Sequence, residues 1–279
     1  WLLVAGITAA LLYGGICGVF YLAQKRFIFV PPGKTSPPPA GYDIEEVTFT
    51  TGDGIALNGW FVDNSGEKTV LFCHGNGANI SNLEFFMEIF RELGLNALFF
   101  DYRGYGKSGG TIRAEEDLYR DVTAAYRYLV DERGLAPSQI VVWGRSIGGA
   151  PAVELARKES PYAVVLQSTF TSLSERIQEM IPIIPVKALS RFDFPNRARL
   201  AGIDSPILII HSVDDKLIPF SHGEALYRAA EEPKSFLVLT GPHDRVPDES
   251  VPVLIKGVRD FVAKPAESFC RGTQKTGIC

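Results

Sequence analysis

The stretch Ile140-Val141-Val142-Trp143-Gly144-Arg145-Ser146-Ile147-Gly148-Gly149 decides the fold. The run Ile140–Trp143 reads as a strand covered on both faces. Gly144 to Gly148 spells G-x-S-x-G, a sharp turn from strand to helix, and a helix is expected from about Ile147 to Lys158. Such a turn holds its serine strained, with the hydroxyl lifted above the sheet. Glycines two residues to either side allow strand and helix to approach closely. The helix N-terminus beneath Ser146 and the Ile147 N–H both favour developing negative charge. Ser146 is therefore the candidate nucleophile.

The same alternation extends outward in both directions. Ile44–Thr50 and Ile55–Val62 flank the turn Gly52-Asp53-Gly54 and read as an antiparallel hairpin. Val70–Phe72, Ala97–Phe100, Ala163–Leu166, Ile207–Ile210 and Phe236–Leu239 read as further strands. Between them run helical stripes, such as Phe86, Ile89, Phe90 and Leu93, or Leu118, Val122, Ala125 and Leu129. Apolar strands alternating with helices imply a mostly parallel sheet with helices on both faces. With the G-x-S-x-G turn, the expected class is the α/β-hydrolase fold, with an N-terminal hairpin and a short lid. The hydrolase domain is expected over 41–264.

Reacting groups in such sheets gather at the carboxyl ends of the strands. The base should follow the acid along the chain. Of the four histidines, His74 and His211 precede any plausible acid. His74 reads as shaping a turn, His211 as packed in the core and His222 as a solvated helix residue. His243, in Gly241-Pro242-His243-Asp244 past the last strand, is the candidate base. Asp214 and Asp215 both follow Ile207–Ile210, and spacing does not separate them as the acid that fixes the imidazole tautomer. The loop His74-Gly75-Asn76-Gly77 offers the Asn76 amide as partner to that of Ile147 in an oxyanion hole. Asn79-Ile80-Ser81 is a glycosylation sequon that reads better as a helix start.

Composition excludes other classes. Net charge is −4 and pI about 5.7, with no basic stripe or metal-finger spacing, so no nucleic-acid partner is expected. The chemistry needs neither metal nor cofactor. Cys17 and Cys73 read as inert buried thiols, while Cys270 and Cys279 lie in a polar tail where they can pair. The segment 1–24 carries no charge and is long enough to span a bilayer. Lys25 and Arg26 follow it, and Trp1, Tyr13 and Tyr21 suit an interface. An uncleaved single-pass anchor is expected, with a cleaved signal peptide as the rival reading. The positive-inside rule applied to Lys25 and Arg26 favours a cytoplasmic domain, yet the side stays open. Residues 25–40, with Pro31-Pro32 and Pro37-Pro38-Pro39, read as a basic, stiff spacer. Residues 265–279 read as a disordered tail.

Together, HGNG…N at His74–Asn79, DYRGYGKSGG at Asp101–Gly110, GRSIGG at Gly144–Gly149, H-x-x-x-D-x-x-I-P at His211–Pro219 and GPHD at Gly241–Asp244 resemble membrane-tethered α/β-hydrolase-domain proteins. These include bacterial inner-membrane hydrolases, lysophospholipid lipases and protein depalmitoylases. The resemblance implies Asp215 as the acid. Ser212 and Asp244 depart from the glycine and asparagine frequent there, without removing a catalytic group. Asp101 and Arg103 are expected to brace loops. The apolar segment 171–201, broken by Pro182 and Pro185, reads as a small lid whose Met180, Ile181 and Ile184 would contact an acyl chain, the alternative being two ordinary helices that cover the core. The expected activity is hydrolysis of a carboxylic ester or thioester through an acyl-enzyme, on a small-molecule or lipid substrate. A prolyl-oligopeptidase-like peptidase and a non-catalytic binding protein of the same fold are the alternatives. Oligomeric state is not legible.

Overall fold

The computed structural model describes residues 1–33 and 35–263. Eight strands form one sheet: β1 (Asp43–Thr50), β2 (Ala56–Asp63), β3 (Thr69–Cys73), β4 (Asn96–Phe100), β5 (Ile140–Arg145), β6 (Ala163–Gln167), β7 (Ile207–Ser212) and β8 (Lys234–Leu239). Their order is β1-β2-β4-β3-β5-β6-β7-β8. The β1–β2 and β2–β4 pairs are antiparallel, and every pair from β4 to β8 is parallel. The helices are α1 (Leu2–Ile28), α2 (Glu84–Leu93), α3 (Glu115–Arg127), α4 (Gly149–Lys158), α5 (Leu173–Met180), α6 (Val186–Leu189), α7 (Asn196–Arg199), α8 (Phe220–Ala229) and α9 (Val251–Val262). This is the α/β-hydrolase fold.

Strand side chains alternate between two cores. Leu71, Leu98, Val142 and Val164 pack under α3 and α4, while Phe72, Phe99, Trp143 and Val165 pack under α2 and α9. Both faces are covered, so β3, β6 and β7 are buried along their whole length. The β1–β2 turn passes through Gly54 at φ +83°. Strand ends differ from the apolar runs by a few residues. For example, β8 starts at Lys234 because its backbone already pairs with Ile207, whatever the side chain's polarity.

The sheet's central turn places Ser146. The chain leaves β5 through a short 3-10 turn, Ser146–Gly148, before α4 begins at Gly149. A side chain at Gly148 would put its Cβ 2.1 Å from the Cys73 carbonyl oxygen, and one at Gly144 would lie 2.4 Å from that of Gly148. Only glycine permits β5, β3 and α4 to meet so closely.

The N-terminal helix runs four residues beyond the uncharged segment. Ile28 and Phe29 are buried, with the Phe29 ring edge-on to Phe192 at 5.0 Å. The residues read as a spacer lie along the domain. Val30 N–H donates to Asn76 Oδ1 (2.9 Å), Ser36 N–H to Ser81 Oγ (3.1 Å) and Asn79 Nδ2 to the Gly33 carbonyl (3.2 Å). Backbone polar groups held against a protein surface need such partners. Cys17, expected to be buried, is partly exposed on α1, and Cys73 is a buried free thiol. Cys270, Cys279 and the tail lie outside the described residues.

Candidate active site

Three strand ends supply the polar groups. Ser146 sits at φ +54°, a region costly for a side-chain-bearing residue. Its Oγ lies 3.0 Å from His243 Nε2, and His243 Nδ1 lies 2.7 Å from Asp215 Oδ2. The second Asp215 oxygen accepts the Leu217 and Ile218 amides at 2.9 and 2.8 Å. Burial pushes the Asp215 carboxyl up, but the His243 imidazole and the Ile218 amide outweigh it and hold the acid below its ordinary value. With Asp215 ionised, Nδ1 carries the proton and Nε2 faces Ser146 as an acceptor.

Asp214, the neighbour that spacing does not separate from Asp215, faces elsewhere. Its Oδ2 accepts the Gly241 amide (2.9 Å), and Ser212 Oγ donates to the Gly241 carbonyl (2.5 Å). Both therefore tie down the loop that carries His243. From the other side, Arg145 Nη2 donates to the His243 carbonyl at 2.6 Å. Burial lowers the Arg145 pKa, and the nearby Asp244 and Asp215 partly oppose this.

The other histidines hold structure. His211 is buried with Nε2 2.8 Å from the Ile218 carbonyl, and burial lowers its pKa. His74 is buried, its Nδ1 2.8 Å from the Gly75 carbonyl, and burial lowers its pKa to about 4. His222 corrects its reading as a solvated residue. It is buried, taking the Thr171 amide on Nδ1 at 3.2 Å and placing Nε2 3.1 Å from Glu179 Oε2. The first turn of α8 faces the loop after β6, which its local sequence does not reveal. Asp101 and Arg103 brace loops: Asp101 Oδ1 accepts the Ile80 amide, and Arg103 pairs with Asp53, Asp117 and Asp121. Asn79 caps the short turn Ile80–Asn82.

A cavity of about 530 Å³ opens over Ser146, within the size range of small-molecule sites. Asn76 and Ile147 line it beside the serine. The Asn76 side chain is held by Val30 N–H and the Tyr105 hydroxyl (2.9 Å each), which sets the loop after β3. Gly75 lies against the serine, where a Cβ would make an ordinary contact with the Ser146 Cβ at 3.4 Å.

The lid forms one apolar wall through Leu173, Ile177, Met180 and Ile181. Ile184 does not line the cavity; the Pro182–Pro185 turn buries it behind the lid. The opposite wall went unread in the sequence: Phe20, Gln24, Phe27 and Ile28 of α1. Their spacing puts them on one helix face, and a lone Gln among apolar residues was the available signal. Gln24 is 1 % exposed, donating to the Leu189 carbonyl (3.3 Å) and accepting the Arg191 amide (2.7 Å).

Residues 64–197 match the serine aminopeptidase S33 family. An uncharacterized protein of Mycobacterium tuberculosis is 34% identical over 266 residues, covering 92% of this chain and 93% of its own. Alpha/beta hydrolase domain-containing protein 17B of Xenopus laevis is 34% identical, covering 72% of this chain and 68% of its own. An esterase of Pyrococcus furiosus superposes with a TM-score of 0.69 at 22% identity, covering 84% of this chain and 97% of its own. That last likeness speaks for the fold alone.

Proposed function

The chain belongs to the α/β-hydrolase family of serine hydrolases, and from that premise we propose that it cleaves a carboxylic ester or thioester carrying an acyl chain, through an acyl-enzyme on Ser146. His243 Nε2 takes the hydroxyl proton as Oγ attacks the acyl carbon. Asp215 stabilises the imidazolium, and the Asn76 and Ile147 amides receive the oxyanion. The imidazolium then protonates the leaving alcohol or thiol as its bond to the acyl carbon breaks. Water, deprotonated by His243, releases the acid and restores Ser146.

One observation carries this reading: the unbroken relay from Asp215 through His243 to Ser146, at 2.7 and 3.0 Å, opens into an apolar cavity. An aminopeptidase needs a carboxylate to hold the substrate's ammonium. Arg176 is the one charged residue among the described residues lining the cavity, so an acyl chain suits it better. A chain-length series of p-nitrophenyl esters beside aminoacyl anilides tests this choice. Preference for the esters supports it, and cleavage of the anilides alone refutes it.

Helix α1 acts as a membrane tether in this reading. Its 27 residues extend about 40 Å, with a mean hydropathy of 2.0 over its most apolar stretch, none of it buried. Its last turns wall the cavity, so removing it as a signal sequence would leave the site open.

A further inference from the structure

The tip of the lid lies along the apolar part of α1. Tyr13 Oη donates to the Ile183 carbonyl at 2.8 Å. Tyr13 precedes Lys25 by twelve residues, about 18 Å along a helix axis. At this level α1 turns Leu11, Leu12 and Ile16 outward, all exposed. The lid tip is exposed too: Ile183 is 71% and Met180 55% accessible. Lys25, Arg26 and Arg191 sit at the other end, and Lys187, two residues past the turn, is paired with Glu175 at 3.6 Å. Arg191 is joined through its amide to Gln24, beside Lys25 and Arg26.

The carbonyls of the tip are all met by donors of the protein itself, and among the described residues the Ile183 amide is the one N–H of the turn with no acceptor. Pro182 and Pro185 have no N–H to satisfy. Gln178 Nε2 reaches the carbonyls of Ile181, Pro182 and Ile184 (3.5, 3.2 and 2.8 Å), while its Oε1 accepts the Val186 amide (2.8 Å). The Ile181 carbonyl also accepts the Ile184 amide (3.2 Å), and that of Pro185 accepts the Ala188 amide (3.0 Å). With Tyr13 on Ile183, every carbonyl from Ile181 to Pro185 has a donor. A turn in water needs no such provision, because solvent supplies the partners. For the carbonyls, a turn in hydrocarbon requires it.

We propose that the turn Ile181–Pro185 sits in the acyl-chain region of a lipid leaflet, seated along α1, and that the cavity takes its acyl chain sideways from that leaflet between α1 and α5. This rests on α1 as a membrane helix and on Ser146 as nucleophile. Phe27 and Met180, both exposed and both lining the cavity, mark the mouth on that side. The substrate class that follows is a membrane-resident acyl ester or thioester, whose chain need not cross water.

The full chain carrying Ile183→Trp and Trp1→Phe, reconstituted in phosphatidylcholine vesicles, provides the test. The two remaining tryptophans, Trp60 and Trp143, are buried in the sheet core and set the background. Lipids brominated in their acyl chains should quench the added fluorescence and leave the Trp1→Phe parent nearly unchanged. An unquenched, water-like emission from protein that floats with the vesicles overturns the proposal and spares the tether. Failure to float removes the tether and the proposal together. In a second variant, Ile183→Lys, turnover of a vesicle-borne long-chain ester relative to soluble p-nitrophenyl acetate should fall about tenfold or more, the cost of a charge in hydrocarbon. An unchanged ratio contradicts the proposal. Fluorophosphonate labelling of Ser146 in the same sample shows separately whether the hydrolase reading holds.

Discussion

Replacing Arg145 by Met removes the 2.6 Å bond from its guanidinium to the His243 carbonyl while keeping a side chain of similar reach. A hydrogen bond from a charged donor contributes about 1.5–3 kcal/mol. Here that energy holds the loop that aims Nε2 at Ser146, so its loss falls on kcat. The corresponding decrease is roughly 10- to 150-fold. Stability should change less, because the guanidinium's burial opposes its charge and the variant escapes that cost. Steady-state kinetics on p-nitrophenyl butyrate, with thermal melts of both proteins, separate the two effects. A fall in kcat with KM and Tm nearly unchanged is expected. Unchanged kcat, or a rise in KM alone, would refute a positioning role.

Asp215→Asn should lower kcat about 10⁴-fold, because the amide no longer selects the imidazole tautomer. Asp214→Asn should cost far less, since Asp214 only receives the Gly241 amide; equal losses in parallel assays would mean the acid is misassigned. Within the cavity, each methylene added to a saturated p-nitrophenyl ester should raise kcat/KM by about 0.8 kcal/mol, roughly fourfold, until the space is filled. Phe20→Ala should flatten that series, and an unaltered slope would remove α1 from the binding wall. Burial raises the Asp101 pKa from 3.8 to about 7, although the Ile80 amide opposes it. Because the folded value is the higher, its contribution is complete below about pH 4 and is lost as pH rises towards 7, by at most about 4 kcal/mol. Urea midpoints of wild type minus Asp101→Asn should therefore decline from pH 5 to pH 8, and a rise would reverse the assignment. His74, lowered to about 4, acts in the opposite direction, and its Nε2 lies 3.7 Å from Asp101 Oδ1, so the difference reads the pair.

The parts legible in sequence are those written locally. The run into Gly144-Arg145-Ser146 specifies strand, turn and serine within ten residues. Asp215 and His243 follow the adjacent parallel strands β7 and β8 closely enough that the sheet alone delivers them to one edge. The illegible parts depend on partners far along the chain. Gln24 meets Leu189 and Arg191 across more than 160 residues, and no periodicity in α1 announces that pairing. His222 sits at a helix start that reads as solvated until the loop after β6 covers it. Ile184 is as apolar as Ile181, and only the path of the chain between Pro182 and Pro185 sends one into the core and the other to the cavity.

Covalent capture tests the assignment of the nucleophile most directly. The intact protein, exposed to a fluorophosphonate at neutral pH and digested, should carry one phosphonyl group on the peptide containing Ser146. Both label and esterase activity should be absent from Ser146→Ala. A label on another residue, or full activity without Ser146, would contradict the account.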